Sequence, residues 1–139
     1  MTKVLVDTNL LVYSVNPPDG EKCRKSVAAI VELIKRQEFC VGAQNLAEFS
    51  RVVGEKVKPA QSTDDIRNWV RQFRKSGEVL PYTGGSVLSA LAISHAEGIH
   101  FYDALLVAAM REHGVGEIWT EDEAHFKKVR GLKVRNPLK

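Results

Sequence analysis

Four acidic residues, Asp7, Glu48, Asp103 and Asp122, each follow or open a predicted structural element. Asp7 comes directly after the apolar run Val4–Val6, which is typical of a buried parallel strand. Ligands of open α/β sheets bind beyond the carboxyl ends of the strands. Asp7 therefore stands where chemistry is expected, and the other three acids are candidates to join it.

The chemistry that these acids could do together is metal binding. Carboxylates that converge repel one another unless a cation or a proton relieves them. Mg²⁺ and Mn²⁺ prefer oxygen ligands, and proteins usually hold them with a few carboxylates and the phosphates of a substrate. Such an ion can turn a bound water into a nucleophile toward a phosphodiester. The sequence therefore predicts a metal site that acts on a phosphodiester.

Taken singly, three of the acids have a structural alternative. Asn45 and Glu48 have the spacing of a capping box in the first turn of a helix. Asp103 opens an apolar helix, where a negative charge complements the helix dipole. Asp122 belongs to an acidic cluster that could be a solvated turn. Asp7 and Asp122 follow strands predicted to be neighbours, so the metal site requires the four acids to meet in space.

Short apolar runs alternate with amphipathic segments along the chain. Strands are predicted at 4–6, 39–41, 79–80, 117–120 and 132–134. Helices are predicted around 10–13, 27–34, from 45 onward, from 62 to 77, around 87–92 and over 104–110. This alternation predicts a three-layer α/β/α sandwich with a central, mainly parallel sheet of four to five strands. With 139 residues and 44% hydrophobic content, and with no long linker, one domain over residues 1–139 is expected.

The charge pattern permits a polyanionic partner. The net charge is +3 and the pI is about 8.9. Two groups of basic residues are candidates for contacts with an RNA backbone, although a solvated helix face is the alternative for the first group. The candidates are Arg67, Arg71, Arg74 and Lys75 at helical spacing, and Lys127 and Lys128 in the basic C-terminal segment.

Cysteine and histidine residues are assigned no chemistry. Cys23 and Cys40 are too far apart for a redox or zinc pair, and two reduced thiols fit a cytoplasmic protein. The first residues lack the pattern of a secretory signal, and no apolar run reaches the length of about 18 residues that a membrane span needs. The four histidines lack metal-binding helical spacing and are interpreted as exposed or supporting.

Four motifs together resemble the PIN-domain nucleases, and within them the VapC-type toxins of bacterial and archaeal toxin–antitoxin pairs. The opening VLVDTN at 4–9 is similar to the first strand and acid of that family. NLAEF at 45–49 resembles its glutamate helix, and YDALLVAA at 102–109 its third-acid helix. TED at 120–122 resembles the closing Thr-x-Asp. The resemblance covers essentially the whole chain.

This resemblance implies a metal-dependent endoribonuclease that is the toxin of a type II toxin–antitoxin pair. The four acids would bind Mg²⁺ or Mn²⁺ and position the attacking water. Thr120 would orient that water or a carboxylate, Thr8 and Asn9 would aim Asp7, and Glu121 is a reserve ligand. The implied partners are an RNA substrate, a cognate antitoxin protein and a second copy of the chain in a homodimer.

Two other functions are compatible with parts of the sequence. A degenerate PIN fold could bind RNA or protein without cleavage, although the intact acids argue against it. A phosphatase that forms an aspartyl phosphate also carries an Asp after its first strand. Such enzymes usually have a second Asp two positions later, where this chain has Asn9.

Overall fold

The computed structural model describes residues 2–139 and has a central sheet of five parallel strands. The strands are β1 Val4–Val6, β2 Phe39–Gly42, β3 Glu78–Leu80, β4 Glu117–Trp119 and β5 Lys133–Arg135. Their order across the sheet is β3-β2-β1-β4-β5. The predicted parallel sheet, including its weak fifth strand, is confirmed.

Helices cover both faces of this sheet. They are α1 Thr8–Ser14, α2 Glu21–Lys35, α3 Ala43–Arg51, α4 Thr63–Ser76, α5 Gly84–Glu97, α6 Phe101–Glu112 and α7 Glu123–Phe126. A 3₁₀ turn at Pro17–Asp19 precedes α2, and a π-helical turn at Val52–Lys56 continues α3. None of these helices is long and apolar enough to cross a membrane, within the residues that the structure describes.

Two apolar clusters lie on opposite faces of the sheet and make the sandwich. One contains side chains of α1, α2, α3 and α4 together with Val4, Val6 and Val41. The other contains side chains of α5 and α6 together with Leu5, Cys40 and Ile118. Successive residues of a strand point to opposite faces, so the fully buried run Val4–Val6 supplies both clusters. The predicted three-layer α/β/α fold is therefore confirmed.

The strand order creates a topological switch point beside β1. The chain moves outward from β1 to β2 and β3, and then returns to place β4 on the other side of β1. Connections on the two sides of such a point separate and leave a crevice at the carboxyl ends of the strands. Asp7 immediately follows β1 and Thr120 immediately follows β4, so both residues lie at this crevice.

The glutamate helix was predicted to begin around Asn45, and the capping box between Asn45 and Glu48, given as the structural alternative, is wrong. The helix begins at Ala43, because β2 runs into it without a loop. Gly42 is the residue before the first turn, and the Asn45 side chain accepts a hydrogen bond from the Gly42 N–H at 2.8 Å. Asn45 therefore caps backward to Gly42 and not forward to Glu48. Glu48 lies in the second turn, where it has no capping role.

Candidate active site

The four acids line one cavity of about 540 Å³ at the carboxyl edge of the sheet. They come from the end of β1, from α3, from the first turn of α6 and from the start of α7. The remaining lining residues are Thr8, Asn9, Val12, Tyr13, Val52, His100 and His125. Side chains more than a hundred residues apart in the sequence thus share one space.

Asp7 is the most deeply held of the four carboxylates. The Thr8 N–H and the Thr120 hydroxyl each donate a hydrogen bond to it at 2.8 Å. Burial nevertheless raises its pKa from 3.8 to about 6, because these two hydrogen bonds only partly offset the loss of solvent. Nearby Glu48 and Asp122 raise the pKa further. Without a cation, ionisation of Asp7 is therefore less favourable in the folded chain than in water.

The other acids repel one another around the same cavity. Burial, and then the nearby Asp103, raise the pKa of Glu48 against the opposing effects of Gln44 and Arg51. Burial likewise raises the pKa of Asp103; His125 and His100 lower it, and Asp122 raises it. Together with the effects on Asp7, these repulsions link each acid to two others. The order around the cavity is Asp7, Glu48, Asp103, Asp122 and back to Asp7. The cavity consequently favours a cation or added protons.

Thr120 connects two of the acids through one buried hydroxyl. Its side chain is fully buried. The hydroxyl donates to Asp7 and accepts the Asp122 backbone N–H at 2.9 Å and the Asn9 amide at 3.4 Å. Since the hydroxyl donates its only hydrogen to Asp7, this hydrogen bond links the end of β1 to the end of β4.

We expect Thr120→Val to destabilise the protein by about 1–3 kcal/mol, because valine keeps the shape but leaves the Asp122 N–H without its acceptor. Thr120→Ser, which keeps the hydroxyl, should lose clearly less stability. Urea unfolding of both variants measures the difference. Equal loss in the two variants would show that the hydroxyl contributes nothing beyond the methyl group.

Asn9 sets the position of Asp122. Its amide group donates to the Asp122 carboxylate at 3.1 Å, and its carbonyl oxygen accepts the Glu121 backbone N–H at 3.4 Å. The sequence-based interpretation gave Asn9 the task of aiming Asp7. In the structure its hydrogen bonds reach Thr120, Glu121 and Asp122, which follow β4.

Asn45 is a supporting residue that the sequence did not identify. It is fully buried, and its amide donates to the Thr8 hydroxyl at 3.0 Å and to Asp7 at 3.4 Å. With the Gly42 N–H bound to its carbonyl oxygen, it joins β2 to the end of β1. In the sequence, its spacing from Glu48 resembles a capping box. The contact with Asp7 exists because β1 and β2 lie side by side, which the sequence alone does not show.

The structure does not bring Glu121 into the cavity. Its carboxylate accepts a hydrogen bond from the Tyr13 hydroxyl and forms a salt bridge with Lys22 at 2.7 Å. Burial alone would raise its pKa, but the hydrogen bonds from Lys22 and Tyr13 outweigh burial and lower it. Asp122 thus lines the cavity, whereas Glu121 binds Lys22 and Tyr13.

Two histidines that the sequence left without a role lie on the cavity wall. The His125 ring nitrogen is 3.6 Å from the Asp103 carboxylate, and the His100 ring is 6.4 Å from the His125 ring. His100 directly precedes α6 and His125 lies in α7, so they flank the acid from two elements. No helical spacing relates the two histidines, and the sequence therefore contained no signal for this pair.

None of the candidate RNA contacts lines the acidic cavity, but Lys128 lines a smaller cavity of about 120 Å³ together with Asp103. Arg67, Arg71 and Arg74 line a second cavity, of about 600 Å³, where α3 and α4 meet. Lys75 is exposed on α4 but does not line that cavity. Lys127 lies 3.8 Å from Glu123, and Lys128 donates to the Gly98 carbonyl at 3.1 Å. These basic residues thus form more than one surface.

The donor chemistry of the acidic cavity suits a hard, hydrated cation. Its four acids offer only oxygen atoms, and the cavity is much wider than a bare ion. Within residues 2–139, no three His, Cys, Asp or Glu side chains are close enough to hold an ion by themselves. Mg²⁺ commonly keeps several waters and uses only one or two carboxylates, so this wide arrangement fits an ion that is bound partly through water.

The parallel sheet and the acidic cavity at its switch point define an α/β domain whose site lies between β1 and β4. The family model of the PIN domain matches residues 4–132, and the chain belongs to the PIN-domain family. The expected family is thereby confirmed.

Solved structures share this fold along nearly the whole chain. The VapBC complex from Salmonella typhimurium has a TM-score of 0.71 and 17% identity, covering 99% of each chain. VapBC2 from Rickettsia felis has a TM-score of 0.71 and 16% identity, covering 97% of this chain and 98% of the other. VapC20 from Mycobacterium tuberculosis, a toxin that cleaves the sarcin-ricin loop, has a TM-score of 0.67 and 17% identity over 96% of this chain and 100% of that one.

A characterised relative matches only a segment. Ribonuclease VapC48 from Mycobacterium tuberculosis is 47% identical over 36 residues, which are 26% of this chain and 24% of that protein. The match thus spans about a quarter of each protein.

Proposed function

We propose that this protein is a metal-dependent endoribonuclease and the toxin of a type II toxin–antitoxin pair, active in the cytoplasm. The observation that carries the proposal is the convergence of Asp7, Glu48, Asp103 and Asp122 on one cavity within a PIN fold. The ribonuclease VapC48 and the RNA-cleaving toxin VapC20, to which the chain is similar, support the choice of RNA as substrate.

The four acids would hold Mg²⁺ or Mn²⁺, directly or through water. Their mutual repulsion and the raised pKa values of three of them supply the driving force, because a cation relieves both. When bound, a divalent cation supplies positive charge for phosphate oxygens and lowers the pKa of water. This choice of ion follows from the oxygen atoms that the four carboxylates offer.

The chain's own residues orient the reactants. Thr8 and Thr120 hold Asp7 in one position through their hydrogen bonds, and Asn9 does the same for Asp122. A carboxylate on the cavity wall can accept a hydrogen bond from a water molecule and direct its lone pair at the phosphorus. Such fixed orientation is a large part of phosphoester catalysis, because it removes the entropic cost of assembling the reactants.

Two apolar surfaces support the proposed protein partners, an antitoxin and a second copy of the chain. Val27, Val31 and Ile34 of α2 and Trp69 of α4 are partly exposed around a groove of about 210 Å³. On α5, Leu88 is 70% and Leu91 is 55% exposed. Adjacent exposed apolar side chains mark protein contact surfaces. The VapBC complexes among the similar structures support an antitoxin for this chain.

The experiment that tests this function is RNA cleavage by protein purified free of any antitoxin. We expect single-stranded or structured RNA to be cut when Mn²⁺ or Mg²⁺ is present, and cleavage to stop when a chelator removes the ion. Sequencing the 5′ ends of the products would identify the substrate. Binding of several RNAs without cleavage under any metal condition would contradict the proposal and identify a non-cleaving binding module.

A further inference from the structure

The arginine cavity on α4 carries positive charge that forms no salt bridge within the described residues. Arg67, Arg71 and Arg74 are all exposed. None of them takes part in a salt bridge, and Arg71 has one hydrogen bond, to the Asn68 side chain at 3.1 Å. Asp64 and Asp65 at the start of α4 lie beyond salt-bridge distance from these arginines. Three free guanidinium groups around one cavity can bind several anionic groups together.

The position of this cavity relative to the acids follows from α3. Glu48 lines the acidic cavity and Ser50 lines the arginine cavity. These residues are two apart, which places them about 200° apart around the helix. The two cavities therefore open on different sides of α3, separated by about one helix diameter of 10–12 Å.

The surface of α3 between the two cavities is open and carries another cation. Ala47 and Arg51 are exposed on the arc that joins Glu48 to Ser50, whereas Phe49 on the other arc is fully buried. Arg51 lies near enough to Glu48 to lower the pKa of that carboxyl. It takes part in no salt bridge within the described residues. A polyanion leaving the acidic cavity over α3 would thus meet Arg51 and then the α4 arginines.

We propose that Arg67, Arg71 and Arg74 form a second phosphate-binding site that holds the backbone of the substrate RNA a few nucleotides from the scissile bond. This inference rests on the proposed ribonuclease function. The two sites lie about one helix diameter apart, so the RNA strand that joins them is short. Arg51 contacts the phosphate between the two sites. The site adds affinity without reading bases, because its contacts are with phosphates.

The first test measures binding without cleavage. The wild-type protein and the variant R67Q/R71Q/R74Q are titrated, in chelator, against a fluorescent unstructured RNA of about twelve nucleotides at several salt concentrations. We expect the variant to bind at least about tenfold more weakly and to lose about two units from the salt slope, at roughly 0.7 per phosphate contact. R24Q/K35Q/R130Q is the charge control, because it also removes three positive charges, and all three residues are exposed and unpaired within the described residues.

Binding by the triple variant that equals binding by the control, or a wild-type protein that does not bind the RNA, would overturn the inference. Oligoglutamate of the same charge is titrated in parallel, and an arginine-dependent affinity for it above that for RNA would also overturn the inference, by identifying an acidic protein segment as the occupant. All substituted side chains are exposed, so circular dichroism melting should show unchanged folding.

The second test separates this inference from the proposed function. With Mn²⁺ present, the triple variant should raise KM for the long RNA at least about tenfold and leave kcat unchanged, because the arginines bind substrate away from the reacting atoms. An equal loss of kcat with constant KM would overturn the second site. If wild-type protein cleaves no RNA, the ribonuclease function fails, and the binding titration still decides whether the arginines hold an RNA backbone.

Discussion

Asp7→Asn is expected to lower the rate of RNA cleavage by at least about 100-fold while the protein stays folded. Loss of a residue that only supports a metal ligand typically costs 10- to 100-fold, and Asp7 is proposed as a ligand itself. The amide keeps the size of the carboxyl and can still accept the Thr8 N–H, so the local structure should persist. Cleavage of a labelled RNA at saturating Mn²⁺ measures the effect.

Glu121→Gln is the matched control for that substitution. It removes a carboxylate of the same acidic segment as Asp122, but one that does not line the cavity and binds Tyr13 and Lys22 instead. We expect cleavage by this variant to stay within a few-fold of wild type. Equal losses for Asp7→Asn and Glu121→Gln would contradict a specific role for the cavity acids and indicate a general effect of charge.

The same Asp7→Asn substitution is expected to stabilise the metal-free protein at neutral pH. The folded-state pKa of about 6 lies above the ordinary value of 3.8, so between these values the folded chain binds more protons than the unfolded chain. The free energy of unfolding therefore falls as the pH rises through this window and remains lower above it. At about 1.4 kcal/mol per pKa unit, the ionised Asp7 costs at most roughly 3 kcal/mol near neutral pH. Asparagine carries no charge and avoids this cost.

Urea unfolding in chelator, followed across the acid range, tests this prediction. The stability gap between Asp7→Asn and wild type should be largest near neutral pH and should shrink as the pH falls toward the ordinary pKa of aspartate. Glu121→Gln should change stability in the opposite direction, because the pKa of Glu121 is lowered and its charged form stabilises the fold above its ordinary pKa. A gap that does not vary with pH would refute the raised pKa of Asp7.

Local sequence patterns were sufficient to predict the fold and the strand or helix beside which each acid lies. The apolar run Val4–Val6 followed by Asp7 predicts a buried strand with an acid at its carboxyl end, and the structure has this arrangement. The same holds for the short strands and for the predicted start of a helix at residue 62, where Ser62 caps α4 by accepting the Asp65 N–H at 3.1 Å. These features depend on residues close in sequence or on a simple period, and both can be read directly.

The contacts that hold the acids in position could not be read in the same way. Asn45 has the local spacing of a helix cap, but its burial against Asp7 and Thr8 depends on the pairing of β1 with β2. His125 reaches Asp103 only because α7 folds back toward α6. The same local sequence around Asn45 or His125 would also be compatible with a side chain exposed to solvent. Tertiary packing decides whether such a side chain is buried at the site or exposed, and local sequence patterns do not reveal that packing.

The apolar residues of α2 show the same limit. Val27, Val31 and Ile34 have helical spacing that indicates a buried stripe, yet between 36% and 41% of each side chain is exposed. Their neighbours Ile30 and Leu33 form the buried contact with the sheet. The period identifies an apolar face but cannot say whether this chain or a partner covers all of it.

Calorimetric titration of the metal-free protein with Mn²⁺ near neutral pH is the most direct test that the acids converge to hold a divalent cation. Wild-type protein should bind Mn²⁺ at a defined stoichiometry, Asp7→Asn should bind it at least about tenfold more weakly, and Glu121→Gln should bind it like wild type. Absence of Mn²⁺ binding by the wild-type protein, or equal binding by wild type and Asp7→Asn, would contradict a metal site built on these carboxylates.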